Sequence, residues 1–369
     1  MQVILPTLPD EIIADILSRV PVKSLVRFRC VSKEWCSLVA NTKFIKAHLQ
    51  RSNARQDHHR AHLSALAYSS CPSPDDHSAE TNIILNFPPK FQNEAYRIVG
   101  SCDGLLLIAV DSGYTFLLNP STREYKELPQ PAYFPSNYEL VTYGFGYDSS
   151  SDDYKVVRVC NTGTSATIAI GIEVYELKSN MWRNLQDCPR GSYFIYDEPG
   201  IFVSGAIHWI LCRKNPEVEQ CGDRTILCLD LKEEKFCELP APDFGNIQAF
   251  IQNIGVSRGF LSIVVTFHEI LEVQVMIQHG VKASWTKVIS IPFFCMIMHD
   301  CISESSCGLR IQEWKELVKY NSQGKNERDV FSGNDVLNLL SYMHGVDAAI
   351  YVESLVCPHG NGETSQANT

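Results

Sequence analysis

The chain has 369 residues, 45% of them hydrophobic, 20% charged and 10% aromatic, a globular composition that excludes wholesale disorder and is long enough for two or three domains. Its longest apolar run, Phe260 to Phe267, is strand-sized and far short of the ~20 residues of a membrane helix, so no membrane partner is expected. The net charge of −10 is uneven: residues 1 to 60 hold ten Lys or Arg against five acids, a local +5, which leaves −15 for the remainder. A −15 body is a poor phosphate binder, so nucleic acid is not expected as a partner.

The start, Met1 to Pro6, lacks the basic flank and apolar stretch of a secretory signal, which points to a cytoplasmic and/or nuclear setting. There the 14 cysteines are expected to be thiols, and none stands in a Cys-x-x-Cys pair.

Residues 1–50 read as a small helical domain. Leu8-Pro9-Asp10-Glu11 places a proline and two acids where a first helical turn favours them. Ile12, Ile13, Ile16, Leu17 and Val20 then fall within an arc of about 140°. Pro21 stops that helix. Val22, Leu25, Val26 and Phe28 form a second apolar arc, and Val31, Trp35, Leu38 and Val39 a third. Asn41-Thr42 offers a cap for a last helix carrying Phe44, Ile45 and Leu49. Units this small usually need outside stabilisation, so the apolar surface around Leu17, Val20, Pro21, Leu25 and Trp35 either waits for another protein, or closes the mini-core or docks on the downstream domain.

The runs Leu8-Pro9-Asp10-Glu11-Ile12-Ile13, Ile16-Leu17-Ser18-Arg19-Val20-Pro21-Val22-Lys23-Ser24-Leu25 and Phe28-Arg29-Cys30-Val31-Ser32-Lys33-Glu34-Trp35 resemble the F-box motif. The resemblance implies docking on a Skp-type adaptor, which hangs the chain on a cullin scaffold with a RING subunit. The adaptor-binding residues it implies are Leu8, Pro9, Ile12, Ile16, Leu17, Pro21, Leu25, Val31 and Trp35, with Ile12 and Ile16 also readable as internal core. Adaptors of this family are acidic, which would give the local +5 a purpose.

Residues 51–81 read as a polar linker with a strand near His62 to Tyr68. His58, His59 and His62 lie in it without a Cys or acid at fixed spacing, so they read as solvated rather than metal-binding. From residue 82 to 357 short apolar runs alternate with turn residues, the pattern of an all-β body. A repeat runs through it: strand, polar turn, then an aromatic six residues on, as in Asn119 to Tyr125, Glu176 to Trp182 and Asp230 to Phe236. Weaker copies lie near Gln278 and Asn321, so the anchors step by 57, 54, 48 and 43 residues, the size of a four-stranded propeller blade. Five blades follow from the anchors, and a sixth would be closed by Tyr351 to Val356 pairing with a strand between residues 62 and 86. Tyr125, Trp182, Phe236 and Trp285 are expected to cover blade seams. Residues 358–369 read as a disordered tail.

Gly100-Ser101-Cys102-Asp103-Gly104-Leu105-Leu106, Leu118-Asn119-Pro120-Ser121-Thr122-Arg123, Tyr143-Gly144-Phe145-Gly146-Tyr147-Asp148 and Val174-Tyr175-Glu176-Leu177-Lys178-Ser179-Asn180-Met181-Trp182 resemble the F-box-associated domain of plant F-box proteins, which is related to kelch propellers. The expected fold is thus α+β in two domains: an N-terminal helical F-box and an all-β propeller-like domain of about five to six blades.

Enzyme signatures are missing. There is no phosphate-cradling loop, Gly144-Phe145-Gly146 lacks a dinucleotide site's third glycine and helix, and no nucleophile elbow is present. Asp148 to Asp153 lacks the glycine of a calcium loop and reads as a solvated turn. His208, beside Trp209 in an apolar strand, reads as a core histidine. No catalytic residue, cofactor or metal is expected. The resemblances imply a non-catalytic substrate receptor of a cullin-RING ubiquitin ligase recruiting an unidentified protein target, the alternative being an adaptor-independent β-propeller scaffold. Pro129 to Tyr138, Asp187 to Gly200 and Arg213 to Arg224 are candidate target-gripping loops.

Overall fold

Pro9 and Pro21 each stand immediately before a helix, where a missing N–H costs nothing. In this computed structural model, which describes residues 8–54, 62–66, 89–91, 94, 96–131, 141–164, 167–185, 193–195, 198–214, 221–244, 249–257, 259–267, 270–292, 302–305, 308–313, 316–320, 326–327 and 347–360, four short helices open the chain. They are α1 (Asp10–Leu17), α2 (Val22–Phe28), α3 (Lys33–Val39) and α4 (Thr42–Ala54). Ser32 caps α3, its Oγ accepting from the Trp35 N–H at 3.2 Å. Asn41 caps α4 as its position predicts, Oδ1 accepting from the Lys43 and Phe44 N–H groups at 2.9 and 3.4 Å. Leu17, Val22, Leu25, Val39 and Phe44 meet in one core, flanked by the edge-to-face pair Phe28–Trp35 at 5.5 Å.

The β-body begins with β1 (His62–Leu66), where the linker strand is expected. The first full sheet is β2 (Tyr96–Cys102), β3 (Leu105–Val110), β4 (Thr115–Asn119) and β5 (Glu124–Glu127). The second is β6 (Val141–Asp148), β7 (Asp153–Thr164), β8 (Thr167–Glu176) and β9 (Met181–Asn184). In the third, β10 (Tyr193–Ile195) and β11 (Ile201–Val203) both pair with β12 (Ala206–Lys214), followed by β13 (Cys221–Asp230) and β14 (Phe236–Leu239). The fourth is β15 (Phe250–Ser257), β16 (Phe260–Phe267), β17 (Ile270–Met276) and β18 (Trp285–Pro292). The fifth is β19 (Ile302–Ser305), β20 (Gly308–Glu313), β21 (Glu316–Tyr320) and β22 (Asn326–Glu327). Finally β23 (Asp347–Tyr351) pairs antiparallel with β1. Inner strands of successive sheets touch: β23 meets β2, β2 meets β6, β6 meets β11 and β12, these meet β15, and β15 meets β19. This is a β-propeller.

The anchors Asn119, Glu176, Asp230 and Gln278 fall where the third strand of their sheets turns toward the fourth, and Asn321 lies outside the described residues. In three of these turns the fifth residue donates its N–H back to the anchor carbonyl, from Arg123 to Asn119, Asn180 to Glu176 and Glu234 to Asp230. That fifth residue has φ of 63°, 56° and 53° respectively. The anchor side chain also caps the turn at Asn119 and Asp230, with Oδ1 accepting at 2.8 Å from Ser121 and 2.9 Å from Lys232. Gly144 is fixed by close approach instead: a Cβ there would lie 2.5 Å from Ile207 Cγ2 and 2.7 Å from Trp209 Cζ2 of the neighbouring blade.

The seam expectation holds for three aromatics: Phe236 packs on the core shared by the second and third blades, and the two tryptophans reach across by hydrogen bonds. Trp182 donates its indole N–H to the Pro129 carbonyl at 2.6 Å and Trp285 to that of Pro240 at 2.9 Å, each tying its blade to the one before. Tyr125 stays with its own blade, against Phe116 at 6.5 Å.

Three expectations are corrected. The strand expected at Tyr351 to Val356 ends at Tyr351, because Leu355 and Val356 have separate apolar sites to fill. Pro358 is buried and Cys357 to Gly360 close a turn, so the ordered chain runs into the expected tail; residues 361–369 lie outside the described residues. Cys212 is disulfide-bonded, so the cysteines are not all thiols.

Candidate functional site

Ile12 and Ile16, four residues apart, lie along one side of α1, with Leu8 in the segment just before the helix, while Leu17 turns inward. Leu8 is 56%, Ile12 46% and Ile16 49% exposed, and Val31, in the turn after α2, is 62% exposed. Pro9 and Pro21 are exposed and Trp35 is half-buried. Among the described residues these leave an apolar face uncovered. Ile12 and Ile16 belong to that face, which removes the alternative that they are internal core.

Leu17 and Leu25 do not belong to it. They are 2% and 0% exposed and close the helical core, the alternative the sequence left open for them beside adaptor contact. Their helical phase points them at Val22, Val39 and Phe44, and a residue without surface has none to offer a partner.

Other parts of the helices pack against the propeller. Leu49 and Ile45 of α4 enter the core formed by the first two blades with Val99, Cys102 and Phe145. The segment after β23 sits between the two domains: Leu355 completes the helical core and Val356 enters the blade core. Asn119, fully buried at the end of β4, donates through Nδ2 to the Ser354 and Val356 carbonyls at 3.0 and 2.8 Å. Gly104 admits the same segment, since a Cβ there would collide with Val352 O and Ser354 Oγ.

Charge reinforces the seam. Lys46 pairs with Asp152 in the β6–β7 turn, and Arg29 lies 3.6 Å from Glu124 of β5. The Lys46 ammonium, with the Tyr147 hydroxyl, holds the Asp152 carboxyl below the usual range. Part of the N-terminal positive excess is therefore matched within the chain rather than held for an acidic adaptor. Among the helices, Arg51 reaches Asp15 at 3.0 Å and bonds Ser18 Oγ, and His48 Nε2 donates to the Val20 carbonyl at 2.9 Å. Arg19 and Arg51 lower the Asp15 carboxyl.

The Asp148 to Asp153 turn, expected to be solvated, is also a connector. Asp148 and Asp153 are buried, and Lys155 lies 2.9 Å from both Asp148 and Glu234, joining the second and third blades. Burial alone would raise the Asp148 carboxyl, but hydrogen bonds from Ser150 and Lys155 outweigh it and hold the group well below its ordinary value. Sequence reasoning missed Asn119, Leu355 and Val356 as the seat of the helices. Asn119 was legible only as a turn anchor, and no local signal links it to residues 235 and more positions away. The candidate target-gripping loops fall largely at 132–140, 186–192, 196–197 and 215–220, outside the described residues.

Comparison with known proteins agrees with this two-part layout. Residues 5–46 match the F-box domain and residues 58–357 the F-box associated beta propeller domain. An F-box/kelch-repeat protein of Arabidopsis thaliana is 32% identical over 366 residues, covering 95% of this chain and 96% of that one. The F-box protein CPR1 of the same plant is 30% identical over 314 residues, covering 77% and 73%.

Proposed function

This chain belongs to the F-box proteins that carry an F-box-associated β-propeller domain, and on that premise we propose that it is the substrate receptor of an SCF-type cullin-RING ubiquitin ligase. The observation that carries the reading is the exposed apolar face of Leu8, Pro9, Ile12, Ile16, Pro21 and Val31. A Skp-type adaptor covers that face and brings cullin and the RING subunit with it; the propeller holds a protein target. Catalysis is by tethering: holding target lysine and charged conjugating enzyme on one frame raises their effective concentration without a catalytic side chain in this chain. Because α4 and the 352–356 segment seat the helices firmly on the propeller, the receptor presents its target at a fixed angle rather than on a loose linker. The compartment consistent with this role is cytoplasmic and/or nuclear.

The test is co-purification of the full chain with a Skp-type adaptor. Ile12→Asp with Ile16→Asp puts two charges into the face and should abolish adaptor capture while leaving thermal unfolding unchanged. Undiminished capture by that double variant refutes the assignment.

A further inference from the structure

His208 of β12, Cys228 of β13 and His279, in the turn after β17, bring a ring nitrogen, a thiol and a second ring nitrogen within 4.8 Å of one another. His208 and Cys228 are directly opposed in the β12–β13 ladder, so both side chains leave the same face of the third blade. His279 comes from the fourth. We propose that these three residues bind a Zn²⁺-class transition-metal ion that clasps the third blade to the fourth.

The donor set favours such an ion. Two imidazoles and a thiolate suit Zn²⁺ and its soft or borderline neighbours, whereas Mg²⁺ and Ca²⁺ want oxygen ligands. The supporting shell is in place as well. His208 Nδ1 lies 3.2 Å from the Ile201 carbonyl, which can only accept, so Nδ1 carries the proton and Nε2 keeps its lone pair for a metal. The His208 and His279 Nε2 atoms are 2.9 Å apart and the rings stand edge to face at 72°. Tetrahedral ligation at ~2.05 Å per nitrogen needs a separation of about 3.3 Å, so a few tenths of an ångström of movement suffice. His279 lies on an exposed turn, which can make that adjustment. Cys237 is the cross-strand partner of Cys228 and their thiols are hydrogen-bonded, while the fourth position is left to a water. On binding, the Cys228 thiol releases its proton to solvent and the His279 proton shared with His208 moves to Nδ1 of its own ring.

The experiment titrates purified full chain with Zn²⁺ against a chromophoric chelator, and with Co²⁺ by absorption. Wild type should bind one high-affinity equivalent of Zn²⁺, show a thiolate-to-cobalt charge-transfer band and gain thermal stability with Zn²⁺. His279→Ala should weaken Zn²⁺ binding at least tenfold and remove the thermal gain while leaving the metal-free circular dichroism unchanged. Cys228→Ser should lose the charge-transfer band. No stoichiometric binding by wild type, a cobalt complex without that band, or equal binding by wild type and His279→Ala would overturn the proposal; the last places the metal on other histidines.

Discussion

Truncating Leu355 to alanine tests the claim that the helical domain is finished by the far end of the chain. Leu355 is 6% exposed and is the residue from outside the helices in the buried core of Leu17, Val22, Leu25, Val39 and Phe44. Removing three buried carbon groups at ~0.8 kcal/mol each gives about 2.4 kcal/mol, and the cavity left behind brings the loss to about 3 kcal/mol. At 1.4 kcal/mol per factor of ten, the population with the helices opened rises roughly a hundredfold. Hydrogen exchange followed by peptide mass spectrometry resolves this, since α1 to α4 should lose protection while β3, β7, β12 and β16 keep theirs. Adaptor capture should weaken in parallel, although Leu355 has no surface to touch an adaptor. Unchanged protection of α1 to α4 in Leu355→Ala would refute the reasoning and show that the four helices fold without the C-terminal segment.

Further perturbations follow from the same contacts. Leu17→Ala should cost about 3 kcal/mol of helical stability, so any loss of adaptor capture it causes comes with unfolding, unlike Ile12→Asp with Ile16→Asp; thermal melts separate the two. Gly144→Ala should destabilise the propeller by about 1–3 kcal/mol in urea unfolding, because its Cβ would press on Ile207 and Trp209. Asp148 is depressed in the folded state, so its contribution is full above the unfolded carboxylate range and is lost as pH falls below about 4; Asp148→Asn should flatten the pH dependence of unfolding there. Trp285→Phe keeps the ring but loses the indole bond to Pro240, and should cost about 1 kcal/mol in the same assay.

Local chemistry determined much of this protein before any fold was considered. Prolines at 9 and 21 and the caps at Ser32 and Asn41 set the helix starts, because these signals act over three or four residues. The repeated turns after Asn119, Glu176 and Asp230 marked the blade repeat, because each turn bends the chain the same way. Which apolar residues face out was decided only by tertiary structure: Ile16 and Leu17 are neighbours of equal greasiness, and only the position of Phe44 and Leu355 makes one core and the other surface. The same holds for Asn119 gripping residues 354 and 356, and for His208, Cys228 and His279 meeting between blades. Contacts that bridge scores to hundreds of residues leave no spacing in the sequence, since chain closure, not local propensity, brings their atoms together.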